Sequence, residues 1–245
     1  MQEILKKTCS LTASDIDCHG WLRLSSLLGY LQDIAVEHSI ILGIDPTRIA
    51  QEFNVVWLMT RLHLTLERPI PFPGELTIQT YHRGVTKSAM IYRDFDIFQE
   101  GERIGEATNS WVLVDLQKRK IVRPDSISAM AACPRPAIVK DRIPEKIKSP
   151  EDMKKAFTRP IYYSDTGISG HVNNTKYAVI ACDVIGYDKR KGQFFREVQI
   201  NYLQECFPGD EIITFRGRAD GVDYVRGTDA SGAARFEVSL RFEDD

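Results

Sequence analysis

Two stretches of this chain read as copies of one plan: SDIDCHGWLRLSSLLGYLQDIA at residues 14–35 and SDTGISGHVNNTKYAVIACDVI at residues 164–185. Each opens with polar, turn-forming residues and passes into a helical period. In the first, Leu24, Leu27, Leu28, Leu31, Ala35, His38 and Leu42 recur at three- and four-residue steps, which places them on one helical face. Ser25 or Ser26 stands where a helix cap is expected, and Gly43 where a helix ends. In the second, Tyr177, Ile180, Ala181 and Val184 repeat the stripe and Gly186 repeats the stop. Self-similarity of this kind marks a duplicated structural unit.

The pattern after each helix changes to a period of two. Residues 55–67 alternate, with Val56, Leu58, Leu62, Leu64 and Leu66 on one face, and residues 197–203 alternate Val198, Ile200 and Tyr202. Both runs reach a Phe-Pro-Gly turn, at Phe72-Pro73-Gly74 and Phe207-Pro208-Gly209, and strands follow at 76–81 and 212–216. Further strands are expected at 89–98 and 104–115 in the first half, and at 223–228 and 235–242 in the second. One helix followed by an antiparallel set of strands, twice over, is an α+β duplication. A length of 245 residues accommodates two such domains. Between them, residues 133–160 carry five prolines and eight bases against four acids, a net +4. That composition reads as a linker over the surface, or as a docking face for an acidic partner. The domain reading is therefore 1–132, a linker at 133–160, and 161–245.

Composition narrows the function classes. Hydrophobic residues at 43% and charged residues at 27% describe an ordinary folded chain. A net charge of −2 and a pI near 6.2 speak against a nucleic-acid partner. The five cysteines (Cys9, Cys18, Cys133, Cys182, Cys206) are odd in number and form no CxxC pair. With no secretory or transit signature in the first residues, a reducing, cytoplasmic setting is expected. No run of 18 apolar residues occurs, so no membrane partner is expected. Neither a GxxxxGK[ST] nor a GxGxxG motif is present, and the five histidines lack metal-ligand spacing, so neither a metal nor another cofactor is expected. Trp57 and Trp111 fall on strands and read as core or as pocket wall.

The segment SDTGISGHVNNTKY at 164–177 resembles the signature of the acyl-acyl-carrier-protein thioesterases, approximately S-D-x-D-x-N-x-H-V-N-N-x-x-Y. Residues 55–81 and 107–124 are similar to that family's N-terminal half, and NYLQECFPGD at 201–210 to its second catalytic segment. The resemblance covers essentially the whole chain. It implies a double hotdog fold, in which each of two tandem helices is wrapped by an antiparallel sheet. It also implies fatty-acyl thioester hydrolysis, an acyl carrier protein as partner, an acyl-binding first half and a catalytic second half. Fusing two hotdogs supplies internally the pairing that single hotdogs obtain by dimerising, which leaves monomer and homodimer both open. Two positions depart from the family pattern: its second aspartate falls on Gly167 and its asparagine on Ser169. The first half keeps D-x-D, at Asp15 and Asp17, but lacks HVNN.

Thioester hydrolysis needs a nucleophile, a proton manager and donors for the developing oxyanion. His171 is the natural proton manager, just ahead of a helix N-terminus whose backbone N–H groups are candidate oxyanion donors. Gly170 allows a carbonyl to approach that backbone. One of Asn173 and Asn174 is expected to cap the helix and the other to orient substrate or His171. Ser169 is placed to bond His171 or the substrate, or simply to close the turn; Asp165 reads equally as turn-former and site residue. Glu205 and Cys206 offer rival routes: water activated by the carboxylate, or an acyl-enzyme on the thiolate. Successive strand side chains face opposite ways, so the expectation puts Glu205 in the cleft beside His171 and Cys206 behind it in the core. Hydrolysis of acyl-CoA, or acyl-thioester binding without catalysis, would use the same pantetheine-shaped site.

Overall fold

The first apolar stripe forms α1, Leu24–Leu42, ended by Gly43 in the left-handed region at φ +69°. The second forms α4, Asn174–Ile185, ended by Gly186. Among the described residues between them lie two shorter α-helices, α2 (Pro46–Phe53) and α3 (Ser128–Ala131). Ser25 and Ser26 lie inside the first turn of α1 rather than capping it. The cap position belongs to Arg23: its carbonyl accepts the Leu27 N–H at 3.0 Å, and its own N–H is drawn to Asp15 O at 2.8 Å. The computed structural model describes residues 3–134, 140, 142–186 and 192–243.

Two compact units make up the chain, and neither is continuous in sequence. The first comprises Met1–Leu11, Gly29–Leu62 and Pro73–Pro144; the second comprises Thr12–Leu28, His63–Phe72 and Glu145–Asp245. In the first, β1 (Ile4–Ser10), β3 (Glu75–His82), β4 (Ile91–Gln99) and β5 (Glu102–Asp115) pair antiparallel in that spatial order, and β6 (Ile121–Val122) adds to the end of β5. Strand β2, Val55–Leu66, runs from the first unit into the second, the division falling after Leu62. Leu42, Ile44, Ile49, Ile91, Leu113 and Met130 form an apolar core in the first unit, with Trp57 and Trp111 packed edge-to-face at its side. That unit also buries an ion pair: Arg83 reaches Asp94 through two N–H groups at 2.6 and 2.8 Å, and Thr108 Oγ1 donates to the same carboxylate at 2.6 Å. Such a pair is strongly destabilising to break, because one charge is left buried alone.

In the second unit the order is β8 (Phe195–Tyr202), β11 (Ala234–Phe242), β10 (Val222–Thr228), β9 (Glu211–Ala219) and β7 (Lys154–Pro160), all antiparallel. Helix α4 buries Tyr177, Ile180, Ala181 and Val184 on the face that the sequence stripe marks. The Tyr177 ring lies 4.9 Å from Phe236 of β11 and 5.7 Å from Tyr202 of β8. The linker expectation of 133–160 is corrected at its end, since Lys154–Pro160 is strand β7, paired with β9. It is an edge strand, where exposed lysines and a terminal proline are tolerated, and those residues disguise it as linker in the sequence.

Gly227 of β10 stands opposite Phe236, whose buried ring fills the space a side chain would need. Gly227→Ala should therefore cost about 1–3 kcal/mol by overpacking, read as a lower denaturant midpoint with unchanged slope. A midpoint equal to wild type would show that the sheet absorbs the methyl group.

Candidate functional site

All of the site residues expected in the second half lie in the second unit. The segment before α4 is a turn closed by its own backbone hydrogen bonds. Asp165, 4% exposed, accepts the Arg159 guanidinium and the Tyr162 N–H on one carboxylate oxygen, which makes it a turn-former. Gly167 N–H donates to His171 O at 2.9 Å, Gly170 N–H to Gly167 O at 3.0 Å and Asn173 N–H to Asp165 O at 2.9 Å. Gly170 holds φ +80°, a conformation that side chains resist. Ser169 and Gly170 stand exposed at the tip.

Asn173 caps α4, its side-chain oxygen accepting the Thr175 N–H and hydroxyl, both at 2.9 Å. Asn174 begins the helix, and its carbonyl accepts the Tyr202 hydroxyl at 3.4 Å. The amides around this helix start are partly engaged. The N–H groups of Val172, Asn173 and Thr175 are spent on Cys206 O, Asp165 O and the Asn173 side chain. The departure at 167 is coupled to the cap: a Cβ there would stand 3.1 Å from Asn173 Nδ2 and 3.4 Å from Asn173 Cβ.

The second catalytic segment leaves the end of β8 after Tyr202, so Glu205 and Cys206 lie in irregular chain, joined to the turn through Val172 N–H on Cys206 O at 2.9 Å. Glu205 Oε1 lies 3.6 Å from His171 Nε2, with the two side chains 39% and 24% exposed. His171 Nδ1 lies 3.0 Å from Val172 O, a carbonyl that can only accept, which in the neutral ring selects the tautomer with its proton on Nδ1 and its Nε2 lone pair facing Glu205. Cys206 is fully buried. Burial pushes its thiol above the usual cysteine range, against the lowering effect of a hydrogen bond from Tyr177.

Sequence reading missed the groups that hold this segment. Arg235 of β11 takes the N–H groups of Leu203 and Gln204 on its carbonyl, at 3.0 and 3.1 Å. Its guanidinium donates to Glu205 O at 3.1 Å and to Asp229 at 2.7 Å. Tyr163 and Ile168 of the turn segment and Phe207 beyond Cys206 are large apolar side chains turned to solvent. Phe207 meets the His171 ring edge-on at 6.5 Å. Among the described residues no His, Cys, Asp and Glu cluster has metal-binding geometry. No single described helix is long and apolar enough to cross a membrane.

Comparison with known proteins bears on the family and the fold. The acyl-ACP thioesterase N-terminal domain matches residues 2–129 and the acyl-ACP thioesterase C-terminal domain residues 148–238. The oleoyl-acyl carrier protein thioesterase, chloroplastic, of Coriandrum sativum is 21% identical over 253 residues, covering 89% of this chain and 66% of that protein. The chain spans 61–66% of the length of the curated relatives it matches. An acyl-ACP thioesterase from Bacteroides thetaiotaomicron superposes with a TM-score of 0.86 at 22% identity, covering 98% of each chain. The 12:0-ACP thioesterase from Umbellularia californica also gives 0.86, at 16% identity over 100% and 99% of the two chains. At these identities the superpositions carry the fold: α+β, with antiparallel strands and few helices.

Burial and the raised thiol pKa together determine how Cys206 should react. At pH 7 a maleimide should label exposed Cys18 in the native protein and leave Cys206 untouched until the chain is unfolded, as peptide mass mapping would read. Rapid native labelling of Cys206 would contradict this placement.

Proposed function

Because the chain belongs to the acyl-ACP thioesterase family, we propose that it is a double-hotdog hydrolase that releases free fatty acid from fatty acyl-acyl-carrier-protein. The single observation that carries the reading is the His171–Glu205 pair, 3.6 Å apart at the open side of the turn, with Cys206 buried behind it. The gap exceeds a hydrogen bond, and both facing atoms are acceptors. A water that donates one O–H to the carboxylate and the other to Nε2 turns its lone pair outward, toward a thioester carbonyl. The water oxygen then bonds to the carbonyl carbon, and Glu205 with His171 takes its proton. Collapse of the intermediate breaks the C–S bond, and that proton passes to the departing pantetheine sulfur. With glycine at 167, no second aspartate shares this work. Asn173 and Asn174 set the helix start that carries the turn, while Ser169 and Gly170 border the approach. The N-terminal half, 1–132, is assigned to holding the acyl chain.

The basic face supports the choice of carrier. Lys154 and Lys155 of β7 and Arg216 and Arg218 of β9 line one depression, with Asp223 bonded to Arg216. Acyl carrier proteins are acidic, and steering by such bases is screened by salt. The further basic run Lys189-Arg190-Lys191 lies outside the described residues. Acyl-CoA remains the rival substrate, and binding without turnover the rival role; free-thiol release from each thioester separates the three.

Two sets of variants test the reading. Glu205→Ala should lose on the order of 10²–10⁴ in kcat, as removal of a general base does. Cys206→Ala should stay within roughly tenfold of wild type, with a modest loss of stability from the vacated core position. A trapped acyl-Cys206 adduct, or a folded but inert Cys206→Ala protein, would overturn the water route. Reversing Lys154 and Lys155 to Glu should raise KM for the carrier-bound substrate and leave KM for acyl-CoA unchanged. Equal effects on both substrates would argue against docking there.

A further inference from the structure

The duplication is closer in the backbone than in the side chains. The turn before α1 repeats, bond for bond, the turn that carries His171. Asp17 N–H reaches Trp21 O at 2.8 Å as Gly167 N–H reaches His171 O at 2.9 Å. Arg23 N–H reaches Asp15 O as Asn173 N–H reaches Asp165 O, and Leu22 N–H reaches Ile70 O as Val172 N–H reaches Cys206 O. These bonds fix the correspondence: Trp21 stands for His171, Arg23 for Asn173, Pro69 for Glu205 and Ile70 for Cys206. Every group assigned to hydrolysis is replaced by an apolar one, and an arginine takes the place of the capping asparagine.

A cavity of about 290 Å³ opens beside this first turn, wholly within the second unit. Trp21, Ile70, Phe194, Phe195 and Phe242 are among its walls, and Arg23 lines it too. An apolar cavity of about 150 Å³ already admits benzene, so this one has room for a substantial length of alkyl chain. Arg23 Nε donates to Ile16 O at 2.8 Å, which tethers the guanidinium at the cavity. Its terminal N–H groups have the fork geometry that a carboxylate accepts. Two acids also line the cavity: Asp17 is spent on the turn, accepting the His19 and Trp21 N–H groups, and Asp183 is exposed on α4.

We propose that this cavity is a second, non-hydrolytic ligand site, which takes a medium-chain fatty acid with its tail against the aromatic wall and its carboxylate on Arg23. The reading rests on the repeat and the cavity, and no covalent step is involved. Binding is the readout, so a protein that hydrolysed no thioester would leave the inference standing or falling on its own.

Calorimetric titration with decanoate, and with decanol as the uncharged control, tests it on wild type, Arg23→Gln and Arg23→Lys. Decanoate should bind wild type, lose about tenfold or more in Arg23→Gln, and recover in part in Arg23→Lys, as expected for a charge-assisted contact. Decanol should bind the three proteins alike. Cys182 lines the same cavity, so decanoate should slow its alkylation, read by peptide mass spectrometry, and should do so in His171→Ala as well. Equal decanoate affinity in wild type and Arg23→Gln would overturn the proposal. So would a Cys182 alkylation rate unchanged at saturating decanoate, or protection lost with His171.

Discussion

One backbone hydrogen bond organises the candidate site: Val172 N–H to Cys206 O, at 2.9 Å. It ties a turn that precedes a helix to a segment that follows a strand more than thirty residues later. With Cys206 drawn into the core, the residue before it is left to point outward, and Glu205 arrives within 3.6 Å of His171. The thiol is a fixture of this geometry because an unpaired cysteine is among the side chains most readily buried. Arg235 completes the restraint from β11, holding the same segment by its carbonyl and its guanidinium. The two facing side chains owe their separation to main-chain contacts that neither of them makes.

The same bond at the other end of the repeat, Leu22 N–H to Ile70 O, holds a turn with none of this chemistry. Main-chain hydrogen bonding is indifferent to side-chain identity, so a duplicated scaffold can lose its titratable groups without losing its shape. The coupling between Gly167 and Asn173 shows the reverse constraint. There a Cβ at one position would stand 3.1 Å from the side-chain amide at the other, which would have to give slightly to admit it.

Periodicity made the long elements legible. The stripes of α1 and α4 and the alternation of Phe236, Val238 and Leu240 are visible because burial selects side chains at fixed steps. The strand β1 is short and mostly polar, so it carries little alternation to read. Helix α2 did carry a local signal: Asp45 caps it, accepting the Arg48 N–H, and Pro46 opens it. In the site, the motif pointed to His171 and Glu205, but strand alternation, the reason given for parting Glu205 from Cys206, does not apply, because both lie in irregular chain beyond β8. Arg235 left no such trace. Its role comes from the register of β11 against β8, which brings it beside a segment thirty residues away.

The interleaving of the two units has a consequence for how the chain is made. Residues 12–28 and 63–72 belong with a partner segment that begins only at Glu145. During synthesis from the N-terminus, Leu22, Leu24, Leu27 and Leu28, all buried in the finished protein, must wait for Trp21 to meet Phe194 and for the last strands to emerge. The first unit can close on sequence already in hand; the second closes only across more than a hundred residues. High separation between contacting residues slows folding and prolongs the exposure of apolar surface. The nascent chain therefore carries this sticky segment until the later half of its unit arrives, a burden that two domains joined end to end would never impose.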